Sequence, residues 1–303
     1  MLDLGIVVVS YCTRDLLRDC LRSVYASQGS LTFEVCVVDN ASTDGSADMV
    51  ATEFPQARLI ANKENLGYPA GNNQGLRAFG FGQAESDGRT ESPRFALLLN
   101  SDTGVPPDGL RRMVGFMEGH VEAGAAGPKL VRPAGSLDLA CRRSFPTPEV
   151  SFYRMTGLSR LFPESHRFGR YNLTYLDPDQ LAEVDSVVGA FMLVRQEAIE
   201  DAGLMDETFF MYGEDLDWAY RIKDAGWKVY YNPEVTVLHV KKASTRQNPR
   251  AQLEFYRAME IFYRKHFAAH ASWWVHGLVV GAVRARLALE RLRLAVLDLV
   301  AGI

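Results

Sequence analysis

The chain has 303 residues, 47% hydrophobic and 23% charged, which excludes a disordered or collagen-like polymer and fits one large or two modest globular domains. The net charge is −4, but residues 241–303 hold 11 Lys+Arg against 4 Asp+Glu, leaving 22 against 33 in residues 1–240: a body of −11 and a tail of +7. So acidic a body excludes a broad nucleic-acid footprint, which depends on Lys and Arg neutralising phosphates; an anionic ligand must be held locally, by a metal or a few aimed donors.

Leu4 to Val9 is a continuous apolar, β-branched run, the pattern of a strand buried on both faces of a parallel sheet. Leu16, Leu17, Cys20, Leu21, Val24 and Tyr25 follow at helical spacing. The pattern repeats with a strand at Glu34 to Val38, a helix from Ser42 to Phe54 stopped by Pro55, and a strand at Arg58 to Ala61. A helix is predicted from Pro69 to Phe79, and the polar stretch Gln83 to Arg94 reads as an exposed loop. Phe95 to Leu99 is another buried strand, followed by a helix over Pro107 to Gly119 and a strand over Gly124 to Val131. Residues 142–183 show no clear period and read as a segment shaped by its ligand. Strands are then expected at Val184 to Val194, Trp227 to Tyr231 and Val235 to His239, helices at Gln196 to Ala202 and Glu214 to Ala225, and two helices in the tail. Alternating β and α with short connections predicts an α/β fold, a doubly wound, mostly parallel Rossmann-like sheet flanked by helices.

Cys12, Cys20, Cys36 and Cys141 form no CxxC pair, so a reducing compartment is the expectation. The opening MLDLGIVVVSY has no basic region before its apolar run and does not read as a signal peptide. The longest apolar run, near Trp273 to Val283, is shorter than the roughly 20 residues of a spanning helix. A cytoplasmic protein follows, free or peripheral on the inner face of the cell membrane.

In open α/β sheets ligands bind beyond the carboxyl ends of the strands, and the polar clusters fall there. Ser10-Tyr11 ends the first strand, Asp39-Asn40-Ala41-Ser42-Thr43-Asp44 the second, and Asn100-Ser101-Asp102 the Phe95 strand. Each has a plain reading as turn chemistry. Asn65 to Gly75 holds three Gly and three Asn at a helix start, suited to close approach of a nucleotide or sugar. Asn100 and Asp102 can face one ligand with hard oxygen donors, which suit Mg²⁺ or Mn²⁺ bridging phosphates. Glu214, Asp215 and Asp217 begin a helix, where acids cap the dipole, but the preceding Phe209-Phe210-Met211-Tyr212 would shelter a general base. His239 ends an apolar strand just before Lys241, Lys242 and Arg246, the cations a diphosphate clamp needs.

Taken in order, the strand-one Ser-Tyr, the Asp39 to Asp44 turn, Asn65-x-Gly67-x-x-x-Gly71-x-Asn73, Asn100-Ser101-Asp102, Gly189-Ala190, Glu214-Asp215 and Leu238-His239 resemble glycosyltransferase family 2. Within that family the chain is similar to bacterial rhamnosyltransferases that use a thymidine-diphosphate sugar. The resemblance covers residues 4–246 and implies the GT-A fold, a divalent metal (Mg²⁺ or Mn²⁺) and an inverting single displacement. It implies a glycosyltransferase domain over 1–246, with a nucleotide-binding half to 131 and an acceptor half from 132, and a C-terminal helical extension over 247–303. Asp39 would meet the nucleobase, the strand-one end near Ser10 would line the nucleoside pocket, and Tyr11, Asn65, Gly67, Asn73 and Asn100 would be among the residues that bind the donor. Asp102 and His239 would hold the metal, Lys241 and Arg246 the diphosphate, and Asp215, beside Glu214, would take the acceptor proton. Asn100 departs from the pattern, since the first acid of Asp-x-Asp is absent, which leaves Asp102 as the acidic ligand.

The donor implied is a thymidine- or uridine-diphosphate sugar, and the acceptor a glycan or lipid-linked glycan of cell-surface polysaccharide synthesis. A dehydrogenase is excluded because no GxGxxG follows the first strand. A nucleotidyltransferase or a non-catalytic sugar-nucleotide-binding subunit remains open. In the tail, apolar residues from Trp273 to Leu297 interleave with Arg284, Arg286, Arg291 and Arg293, a stripe that suits a membrane interface, a dimer seam or packing on the catalytic domain.

Overall fold

The computed structural model describes residues 2–82, 92–241 and 251–301, with side chains to 296. Nine strands form one sheet in the order β3-β2-β1-β4-β8-β6-β9-β5, with β7 also on β9. They are β1 (Leu4–Ser10), β2 (Phe33–Asp39), β3 (Arg58–Ala61), β4 (Phe95–Asn100), β5 (Thr103–Gly104), β6 (Ala123–Val131), β7 (Ala182–Val184), β8 (Phe191–Arg195) and β9 (Lys228–His239). The β3-β2-β1-β4 half is parallel; β8 runs antiparallel between β4 and β6, and β6 pairs β9 in parallel. β5 and β7 pair antiparallel with opposite ends of the long β9. β1 and β4 have no exposed residue, which explains their unbroken apolar runs.

Helices α1 (Arg14–Tyr25), α2 (Ser46–Glu53) and α3 (Tyr68–Ala78) flank the first half, and α4 (Gly109–Gly119) packs on β6, β9 and β8. α5 (Pro148–Met155) and α6 (Leu158–Leu161) lie in the aperiodic excursion, followed by α7 (Gln196–Ala202), α8 (Glu214–Asp224), α9 (Ala251–His266) and α10 (Trp273–Ala301). α9 packs on the start of α8: Ala258 and Phe262 share a small core with Phe209 and Leu216. α10 packs on α9 through Leu253, Val283 and Leu287.

Three elements differ from the sequence reading. The Ser42 helix begins only at Ser46, because the preceding turn is closed by its own side chains: Asp39 accepts from the Ser42 amide and Asp44 from the amides of Arg14 and Ser46. The strand expected over Val184 to Val194 is broken, because Ser186 turns aside to pair with the backbone of Arg143. Conversely, Trp227 to Tyr231 and Val235 to His239 belong to one strand, since Asn232-Pro233-Glu234 is absorbed as a register shift opposite Pro128 and Lys129. The Gln83 to Arg94 loop lies, up to residue 91, outside the described residues.

α3 rests directly on β1. A Cβ at Gly75 would stand 2.4 Å from Cγ1 of the buried Val7. Gly75→Ala should therefore destabilise by about 1–3 kcal/mol in urea titration through overpacking. Gly115→Ala in α4, where a Cβ meets nothing within 4 Å, should stabilise by about 0.4–1 kcal/mol. Equal effects from the two would refute the close-packing account.

Candidate active site

The sheet's carboxyl edge brings the polar clusters together. Ser10 Oγ lies 3.0 Å from Thr13 Oγ1, which lies 2.9 Å from Ser101 Oγ, so buried hydroxyls tie the end of β1 to the Asn100-Ser101-Asp102 turn. Tyr11 is half-exposed beside them. Asp39 is buried; its Oδ2 accepts from the Ser42 amide at 2.9 Å, while Oδ1 is buried with no hydrogen-bond partner. An orphaned acceptor on a buried carboxylate costs free energy that a donor from a ligand would recover. The backbone is also strained here. Four of the five described non-glycine residues with positive φ are Cys12 and Ala41 after β1 and β2, Tyr212 just before α8, and Lys241 after β9.

The Asn65 to Gly75 segment is a correction to the sequence reading. Gly71 and Gly75 lack a Cβ so that α3 can approach Val9 and Val7, and the whole Asn73 amide is used by the fold. Its Nδ2 donates to Met205 O at 2.9 Å and to Glu207 at 2.8 Å, and its Oδ1 accepts from the Met205 amide at 3.0 Å. Asn73 therefore clamps a loop 132 residues away and offers nothing to a ligand. Asn65 and Gly67 stay at the rim: Asn65 Oδ1 accepts from the Gly67 amide, and Gly67, at φ 89°, lies against the Phe210 carbonyl, 2.5 Å from where a Cβ would stand.

Asp102 and His239 converge as expected. His239 Nε2 lies 3.4 Å from Asp102 Oδ1, and Nδ1 donates to Asp138 Oδ2 at 2.9 Å. Burial opposes a charge on the ring, but the hydrogen bonds to Asp102 and Asp138 outweigh it and raise the imidazole to about 9. Asp138, fully buried, was not singled out by sequence reasoning. It also accepts from Lys241 Nζ at 2.6 Å, and although burial works against its charge, these two partners hold its carboxyl well below the usual range. Lys241, expected on a diphosphate, is thus engaged by Asp138. Lys242 and Arg246 lie outside the described residues. Asn100, half-buried, ends β4, its amide donating to Ala190 O.

Glu214 and Asp215 are both buried at the start of α8. Asp215 Oδ2 accepts from Arg143 Nη2 at 2.7 Å and from the Gly189 amide at 3.0 Å, and Oδ1 from the Leu216 amide at 2.8 Å. Arg143, buried in the excursion that sequence left unread, is a second missed residue; burial opposes its charge, which the Asp215 carboxylate restores. Glu214 has a buried Oε2 with no partner, and desolvation, with the Asp215 charge beside it, raises its carboxyl to about 8. Tyr68 is the third missed residue. Its hydroxyl donates to Gly189 O at 2.7 Å, and burial, followed by nearby negative charge, raises it well above its ordinary range. Asp217 faces away, fully buried, against Arg221, Lys265 and His266 at 2.9, 2.8 and 2.7 Å.

Residues 3–257 match the family described as "Glycosyltransferase like family 2". The chain is 28% identical over 272 residues to the N-acetylglucosaminyl-diphospho-decaprenol L-rhamnosyltransferase of Mycobacterium tuberculosis, covering 89% of this chain and 86% of that one. It is 23% identical over 272 residues to the low-salt glycan biosynthesis hexosyltransferase Agl10 of Haloferax volcanii, covering 89% and 76%. The S. aureus TarS crystal structure superposes with a TM-score of 0.57 at 14% identity, over 94% of this chain and 43% of that one. TarS 1-349 in complex with UDP gives 0.53 at 15%, over 94% and 71%. At these identities the structural likeness establishes the GT-A-type fold and no more.

The Glu214 carboxyl carries a pH signature. Its folded value stands above the unfolded one, so its penalty is absent below about pH 4.3 and complete once pH has passed the folded value. Glu214→Gln should be more stable than wild type by roughly 1–3 kcal/mol at pH 9, with the gain vanishing near pH 4. Urea unfolding across that range checks it; a gain independent of pH would show that desolvated charge is not the cause.

Proposed function

The chain belongs to the family 2-like glycosyltransferases, and from that premise we propose that it moves rhamnose from a thymidine-diphosphate donor to a hydroxyl of a lipid-linked glycan, with inversion, in cell-surface polysaccharide synthesis. The observation that carries this reading is the set of buried carboxylates at the carboxyl edge of the sheet: Asp102 3.4 Å from His239, Asp215 held by Arg143 and the Gly189 amide, and Asp39 with an oxygen that has no partner. The sugar and the acceptor class follow the Mycobacterium tuberculosis relative, whose name carries both a rhamnosyl group and a diphospho-decaprenol acceptor.

Asp39 Oδ1 would accept the imide N–H of a thymine or uracil, a reading its lack of a partner supports. The Asp102 and His239 pair offers one oxygen and one nitrogen to a cation. Two protein ligands suit Mg²⁺ or Mn²⁺, which keep waters and take phosphate oxygens, and among the described residues no larger ligand cluster exists. Bound there, the metal would supply a Lewis acid that neutralises the leaving diphosphate. Asp138, on the far ring nitrogen, orients the ring so that Nε2 faces Asp102.

Asp215 takes the proton of the acceptor hydroxyl as that oxygen bonds to the anomeric carbon and the carbon–oxygen bond to the diphosphate breaks. Arg143 and the Gly189 amide hold its carboxylate in place. A second reading gives the proton to Glu214, favoured by its unpartnered buried oxygen. Asp215→Asn should keep donor affinity and lose about 10²–10⁴ in turnover with thymidine-diphosphate rhamnose and a polyprenyl-diphospho-N-acetylglucosamine acceptor. If Glu214→Gln shows that loss and Asp215→Asn does not, the base is Glu214. Asp102→Ala should abolish Mn²⁺-dependent donor binding in calorimetry, and Asp138→Asn should weaken Mn²⁺ about 10–100-fold. Donor affinity indifferent to EDTA would refute the metal assignment.

A further inference from the structure

α10 is apolar on two opposite sides. One, formed by Val283 and Leu287 with Leu294 alongside, packs on α9. The other is bare: Trp274, Leu278, Leu289, Leu292 and Val296 are 52–66% exposed. At 3.6 residues per turn these five fall within about 60° of one another, a stripe about 33 Å long on the side opposite the α9 contact. Exposed arginines border it, Arg284 and Arg291 along one edge and Arg286 and Arg293 along the other. Trp273, 87% exposed, stands at its start. So large a continuous apolar surface is not left to water without a cost that an occupant removes.

We propose that this stripe docks on an anionic lipid surface, with α10 lying in the plane of the interface. The charge pattern selects that occupant. Glu290 is the sole acid between Trp273 and Val296, and it is paired with Arg293 at 3.0 Å. A second copy joined through the stripe, in either direction, would bring the arginine rows of two helices together with no acid between them. Lipid phosphates supply the missing negative charge, and arginine stems can lie along the apolar stripe while their guanidinium groups reach up to the head groups. The same arginines rule out insertion across the bilayer, and no described helix is long and apolar enough to cross it. α9 connects this surface to the active site: its Lys265 and His266 hold Asp217 in the first turn of α8.

Flotation of the full chain with vesicles of phosphatidylcholine, and of phosphatidylcholine with 30% phosphatidylglycerol, tests the proposal. The chain should float with the anionic vesicles only, and release as salt rises. Leu289→Ser with Leu292→Ser should abolish recovery, and Arg286→Glu with Arg291→Glu should lower it at least about fivefold per charge reversed. All four positions are exposed, so circular dichroism melting should stay at the wild-type value, and donor binding in solution should not change. Wild-type protein that stays in the soluble fraction with anionic vesicles overturns the proposal. So does recovery unaffected by the serine pair. A wild-type dimer in light scattering that the serine pair turns into monomer, without flotation, would give the stripe to a second copy instead. No readout here depends on which sugar is transferred, so failure of this proposal leaves the reaction assignment standing.

Discussion

Buried negative charge is the constraint on which the rest of this structure depends. Asp39, Asp102, Asp138, Glu214, Asp215 and Asp217 are all buried, and a carboxylate out of water must be paired, hydrogen-bonded or neutralised. Three have cations of the chain's own: Lys241 and His239 for Asp138, Arg143 for Asp215, and Arg221, Lys265 and His266 for Asp217. The other three are less completely served. Among the described residues, Asp39 and Glu214 each keep an oxygen without a partner, and Asp102 has only the longer contact to His239. Asp138 and Asp217 are thereby tied into the fold, Asp215 is held in one orientation by Arg143, and the other three keep capacity for a ligand.

That division explains where the sequence was legible. β1 and β4, and β2 over Val35 to Val38, announce themselves because both faces are buried and the run is apolar. Asp39, Asp102, Glu214 and Asp215 could be found because each stands directly after a buried strand or at a helix start. Asp138 and Arg143 could not, since each gets its meaning from a partner 101 or 72 residues away, and Arg143 sits in a stretch without periodicity. Asn73 misled for the converse reason: an Asn among glycines at a helix start looks like ligand chemistry, and only the distant Met205 and Glu207 show that its amide is spent.

The excursion over 142–183 shows why an aperiodic segment need not be loosely held. Arg142 is fully buried, donates to the carbonyls of Leu176 and Asp177, and lies 5.3 Å from the Tyr231 ring centroid. Arg143, next to it, reaches Val187 O and Asp215. Two adjacent arginines facing different partners thus fasten both ends of the excursion, one to the sheet and one to α8. Hydrogen bonds to charged groups replace the hydrophobic period that would have made the segment readable.

The hold of α9 on Asp217 has a consequence for modularity. Two of the three cations around that fully buried carboxylate, Lys265 and His266, come from beyond the stretch of signature motifs. The tail is therefore not an interchangeable accessory. A relative's C-terminal helices grafted after residue 246 would have to bring a cation to the same spot, or leave Asp217 to Arg221 alone. Recombination within such a family would thus be expected to exchange this tail together with the helix it neutralises, as one inherited block.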